Sequence, residues 1–293
     1  MIRKVLTFIL LFSLRGFAQT DALKPIDCSQ LLTWMTAGIP SQRLLRLARE
    51  RGVGFGLDED TKNVLLSAGV DQGFIRALQS ARSAKTDSGC PADLVQAAAL
   101  VHRQKYEEAE PIVRKLLLIT PENADLHLAL GHLRQQRGDM DEAFDAYADA
   151  KDLNPFLPEV HNGLSYVFSQ SNDPENAIAE ARTALSLDPK NAEGYRYLGL
   201  ALYVNDNYPA ALYALRESLA QDPKRGESYY AIGMVRTTQK DFAGAADAYR
   251  EAIRLNPGLE KAQLNLGMVL RELAQQRRSV AVGRKSQKAN SSN

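Results

Sequence analysis

The chain has 293 residues, 36 basic and 35 acidic side chains, a formal net charge of +1 and 45% hydrophobic residues. This composition fits a helical protein. It offers no basic excess of the kind that phosphate neutralisation requires, which argues against a nucleic-acid partner. With two cysteines and four histidines and no His-Glu-x-x-His run or zinc-spaced cysteine pair, it also argues against a metal centre.

Arg3 and Lys4 precede an apolar run from Val5 to Leu14, and Gly16, Phe17 and Ala18 follow it. This is the order of a secretory leader, expected at 1–18 with cleavage after Ala18. The run is shorter than the roughly 20 apolar residues of a membrane span, and no later stretch is apolar enough for stable membrane insertion. No cysteine follows the cleavage point, so a lipid anchor there is not expected. The implied location is periplasmic or secreted. Without Arg3, Lys4 and Arg15, 33 basic residues face 35 acidic ones, a net of −2. Setting aside the five cations from Arg277 onward leaves 28 against 35, a net of −7 for the body.

Residues 19–82 read as a small four-helix domain. Gly38, Gly52 and Gly69 each follow an apolar periodic run, where a left-handed residue ends a helix. The stretch from Leu32 to Leu47 with Ala37-Gly38-Ile39 is echoed by Asn63 to Leu78 with Ala68-Gly69-Val70, so two related hairpins are expected. Gly52, Gly54 and Gly56 do not make a nucleotide loop, because no apolar strand precedes them and no Lys-Ser or Lys-Thr pair follows. They read as a helix cap and a tight loop. A polar linker, 83–89, follows. Cys28 and Cys90 bracket this domain. In an exported chain an even pair favours a disulfide, and geometry decides between that and two thiols too far apart to meet.

From here a period of thirty-four residues takes over. Pro121, Pro155, Pro189, Pro223 and Pro257 keep it, as do Ala109, Ala143, Ala177, Ala211 and Ala245, and a small-residue column of Ala97, Gly131, Ser165, Gly199, Gly233 and Gly267. A fixed period of this length means stacked repeats. In 124–157, Leu126, Leu130 and Leu133, then Ala143, Phe144, Tyr147 and Ala150, have helical spacing in two segments broken at Gly138-Asp139. Each unit is an antiparallel helical hairpin that ends before its proline. Gly131 and Ala143 are expected where the two helices come closest.

These columns resemble the tetratricopeptide repeat family. The resemblance runs through 90–123, 124–157, 158–191, 192–225 and 226–259, with a capping helix at 260–278 and a disordered basic tail at 279–293. It implies an all-α, right-handed superhelical solenoid of hairpins behind the small domain. It also implies a groove lined by the first helix of each unit, along the stripes Leu128, His132, Gln135; Asn162, Tyr166, Ser169; Arg196, Leu200, Tyr203; Tyr230, Met234, Thr237; and Leu264, Met268, Arg271. The expected partner site is Tyr166, Arg196, Leu200, Tyr203, Tyr230, Met234 and Met268, holding a helical or extended protein or peptide client. Acids at Asp125, Glu159, Glu193 and Glu227 stand at helix starts and replace the lysines of the family's carboxylate-binding class. His127 and His161 read as packing residues in place of Tyr195 and Tyr229. No nucleophile–base constellation is present, so the expectation is a non-catalytic adaptor without cofactors. The alternatives are a periplasmic assembly factor for a pilus or secretion machine, and an enzyme with a site between the small domain and the first repeat. The tail is left a weak contact with an anionic surface.

Overall fold

The structure, a computed structural model, describes residues 24–81 and 89–290. The expected leader and most of the expected linker lie outside these residues. Among the described residues every regular element is a helix. Two compact bodies meet in sequence after Val167.

The first body opens with α1 (Cys28–Thr36), α2 (Ser41–Arg51), α3 (Glu59–Ser67) and α4 (Gln72–Gln79). Asp27, Asp58 and Asp71 cap α1, α3 and α4 by accepting from the backbone N–H groups of Gln30, Thr61 and Phe74, which satisfies donors that a helix start leaves orphaned. Gly38, Gly52 and Gly69 have φ of +69°, +82° and +103° and end α1, α2 and α3 as the sequence predicts. The glycine loop does more than turn. Ile26 N–H donates to Gly52 and Gly54 N–H donates to Ile26, an isolated parallel bridge that pins the chain ahead of α1. Ile26, Leu31, Leu32, Leu44, Val53, Phe55, Leu65, Phe74, Ile75 and Leu78 are buried.

The repeats follow: α5 (Ala92–His102) with α6 (Tyr106–Ile119), α7 (Ala124–Arg137) with α8 (Met140–Leu153), and α9 (Pro158–Gln170), whose last turns fall in the second body. That body continues with α10 (Pro174–Leu187), α11 (Ala192–Val204) with α12 (Tyr208–Gln221), α13 (Gly226–Thr238) with α14 (Phe242–Leu255), and α15 (Glu260–Asn290). The last helix thus runs past the boundary at 278 where the sequence predicts a tail.

One column was not read from the sequence. Gln104, Gly138, Asn172, Asp206 and Lys240 stand thirty-four residues apart and all take positive φ. Each sits in the turn between the two helices of a unit. The next N–H in each case returns to a carbonyl five residues earlier, as in Lys105 to Leu100 and Asp241 to Arg236, the closure of a helix that ends in a left-handed residue.

At the glycines of the small-residue column the close approach of the two helices involves a side chain of the second helix. A Cβ on Gly131 would come 2.6 Å from the Tyr147 ring, on Gly199 2.6 Å from Leu215, and on Gly233 2.5 Å from Tyr249. In these three units the glycine on the first helix makes room for a large side chain from the second. The alanine column is fully buried at Ala109, Ala143, Ala177, Ala211 and Ala245.

Candidate functional site

The first helices of the repeats present two faces of different character. In the first body the face is covered by the chain itself. α1 packs on α5 and α7, and α3 on α5. The Trp34 indole N–H donates to Asp125 Oδ1 at 2.9 Å, and Gln30 donates to Oδ2 at 3.5 Å. Arg43 on α2 pairs with Glu159 at the start of α9. The two echoed glycines are the contact points: a Cβ on Gly38 would strike the His132 ring at 2.3 Å, and one on Gly69 would strike His102 at 2.4 Å. Only glycine has both the left-handed backbone and the missing Cβ that these seats need. Cys28 and Cys90 are joined in a disulfide, their Cα atoms 5.1 Å apart, which fixes the start of α1 beside the start of α5.

Burial has electrical consequences here. It raises the Asp125 carboxyl above its ordinary range, against the Trp34 and Gln30 hydrogen bonds that lower it. It lowers the His132 ring to about 4. Leu128 is buried, and Gln135 is tied to the Tyr147 hydroxyl at 2.7 Å. The stripe Leu128, His132, Gln135, expected to line a groove, is therefore occupied from within.

In the second body no described residue ahead of the array covers the corresponding face in this way. Leu200, Tyr203, Tyr230 and Met234 are half-buried, and Leu264 and Met268 are 68% and 56% exposed. The tyrosines are held from below. Tyr203 hydroxyl lies 3.1 Å from Thr238 Oγ1, Asn265 reaches the hydroxyls of Tyr230 and Tyr249 at 3.4 Å each, and the Tyr230 ring packs 5.8 Å from that of buried Tyr249. Each ring keeps one side in the core and one outside. Arg196 is committed differently: it pairs with Glu193, which also takes Arg225, and it stacks 4.1 Å over Tyr197. Its side chain is 12% exposed, so it braces the helix starts more than it offers charge to a partner. Tyr166 is half-buried on α9 in the first body, and the other six expected site residues belong to the second.

A family model described as tetratricopeptide repeat matches residues 94–158, 163–226 and 205–260, more than half of the chain. The chain is a tetratricopeptide repeat protein. No curated protein matches it. Among solved structures, a thermophilic repeat protein of Thermus thermophilus aligns at 16% identity and TM-score 0.56, over 61% of this chain and 97% of that one. IFIT1, solved as a monomeric mutant with m7Gppp-AAAA, aligns at 16% identity and TM-score 0.58, over 67% and 50%. A structure from work on Pseudomonas aeruginosa pilF aligns at 27% identity and TM-score 0.45, over 52% and 69%. The first two share the fold.

The acids and histidines of this repeat protein have partners within the chain. The acid column is spent inside the chain: Asp125 on Trp34, Glu159 on Arg43, Glu193 on two arginines and Glu227 on Asn256 at 3.1 Å. His127 and His161 each bond a proline carbonyl six residues back at 2.8 Å, as Gln263 does. They tie the loop between units, a role that the packing expectation missed. A cleft of about 300 Å³ does lie between the small domain and the repeats, lined by Lys24, Asp27, Gln30, Arg51 and Asp125. Its groups hold helices: Arg51 donates to the Lys24 carbonyl at 2.9 Å, and Asp27 caps α1. Among the described residues no group of three His, Cys, Asp or Glu side chains is placed to hold a metal, and no helix is long and apolar enough to cross a membrane.

Proposed function

We propose that this repeat protein is an exported, non-catalytic adaptor that takes a protein or peptide client on the first-helix face of α11, α13 and α15. The observation that carries this reading is a run of amphipathic and flexible side chains at equivalent repeat positions. Leu200, Tyr203, Tyr230 and Met234 are each half out of the core, and Leu264 and Met268 are largely exposed. Tyrosine and methionine give large contact area with adaptable shape. The bracing of Tyr203 and Tyr230 from below lowers the entropy lost when a partner lands. Export is supported by the leader-like order of 1–18 and by the Cys28–Cys90 disulfide, a bond that persists in oxidising compartments.

The test is crosslinking of the full chain in its native host, followed by mass spectrometry. Clients should attach around Tyr203, Tyr230, Met234 and Met268. Changing Tyr203 and Tyr230 to alanine should cut capture about tenfold or more, the loss expected of two aromatic contact residues, with helical circular dichroism unchanged. Undiminished capture would move the site off this face. A single abundant envelope machine among the captured proteins would narrow the role to a dedicated assembly factor. Purified native protein should begin at Gln19, and an intact Met1 would overturn export by cleavage.

A further inference from the structure

The covered face of the first body includes residues suited to open water. Asp125, His132 and Glu159 stand on the first helices of successive repeats, and titratable groups of this kind rarely enter a permanent core unless paired. Here their partners come from helices ahead of the array: Trp34 and Gln30 on Asp125, Arg43 on Glu159, and the Gly38 backbone on His132. The polar contacts are few beside the packing of α1 on α5 and α7 and the seats of Gly38 on His132 and Gly69 on His102, and ion pairs that solvent still reaches contribute little by themselves. What makes the docking secure is the covalent tie from Cys28 to Cys90, which closes a loop of 62 residues. A tie of this sort holds the occupant at high effective concentration whatever its intrinsic affinity.

We infer that residues 24–81 are a tethered lid on the first-helix face of α5, α7 and α9. The Cys28–Cys90 disulfide is its latch, and reduction of that bond uncovers a second binding face. That face fits a helix presenting an aromatic N–H donor toward Asp125 and a cation toward Glu159, the two groups that Trp34 and Arg43 now supply. The inference rests on the docking seen in the first body and does not depend on the client site proposed for α11, α13 and α15.

The chemistry is thiol–disulfide exchange with a dithiol reductant. One thiolate of the dithiol attacks the sulfur of Cys90, the less buried of the two cysteines, and Cys28 leaves as a thiolate that takes a proton. The second thiol of the reductant then attacks its own sulfur in the mixed disulfide and releases Cys90. Two electrons pass to the protein, and the reductant departs as a disulfide.

Trp34 is the only tryptophan in the chain and is 4% exposed, so it reports the lid directly. The full chain is compared oxidised, treated with dithiothreitol, and as Cys28→Ser/Cys90→Ser. Treatment or substitution should shift Trp34 emission to the red, raise its quenching by acrylamide, and speed amide exchange in α7 about tenfold or more, with α11 to α14 unchanged. A synthetic peptide of residues 27–51 carrying serine at 28 should bind the reduced chain and not the oxidised one. In the reduced chain Arg43→Glu should open the lid further, and Arg43→Glu/Glu159→Arg should close it again. If Trp34 stays shielded after reduction, the domain is a fixed part of the fold and the latch does not exist. If exchange rises equally in α11 to α14, the disulfide supports the whole chain and the lid reading fails.

Discussion

Lys240 holds a left-handed backbone, φ +61°, at the turn where the second repeat has Gly138 at φ +90°. A side chain in that region costs roughly 1–2 kcal/mol, while a glycine adds about 0.5–1 kcal/mol of backbone entropy to be lost on folding. Strain relief is the larger effect, so Lys240→Gly should stabilise the array by up to about 1 kcal/mol. Gly138→Ala should destabilise it by about 1 kcal/mol or more. Urea midpoints followed by circular dichroism check both signs. The sequence showed this column only in part. Gly138, Asn172 and Asp206 are residues that tolerate the conformation, but Gln104 and Lys240 carry no such mark, and the turn is imposed on them by the hairpins on either side.

At the scale of an element, one column carries opposite predictions. A Cβ at Gly233 on α13 would meet the Tyr249 ring of α14, whereas at Gly267 on α15 nothing lies within 4 Å. Gly233→Ala should therefore cost about 1–3 kcal/mol through overpacking. Gly267→Ala should gain up to about 1 kcal/mol, because only helix propensity is at stake. Equal losses in thermal unfolding would mean that α15 is packed on that side as α13 is. The hairpins, their proline ends and the alanine column could be read from the period, because each unit repeats the same local demand. The purpose of the small column could not, since Tyr147, Leu215 and Tyr249 lie sixteen residues downstream and alternate in kind. The lid was equally hidden. Gly38 on His132 and Trp34 on Asp125 join segments that share no period, and a sequence pattern records only demands that recur.

The docking of the small domain on the repeats should govern how the molecule responds to acid. Burial lowers His132 to about 4 from an ordinary 6.5. Between these values the unfolded chain binds more protons than the folded one, so stability rises with pH across that window. It is undiminished above pH 6.5 and falls on acidification, by up to about 3 kcal/mol near pH 4. Asp125 works the other way: burial raises its carboxyl above 3.8, so its effect on stability falls as pH rises through that range. The two oppose each other at the acid end, and the His132 slope should stand alone nearer pH 6. Urea unfolding followed by Trp34 emission should show a midpoint that declines from pH 7 to pH 5. His132→Gln should flatten that decline, and Asp125→Asn should steepen the slope below it. A decline that survives in His132→Gln would show that another group titrates there and that the seat under Gly38 does not exclude the ring from water.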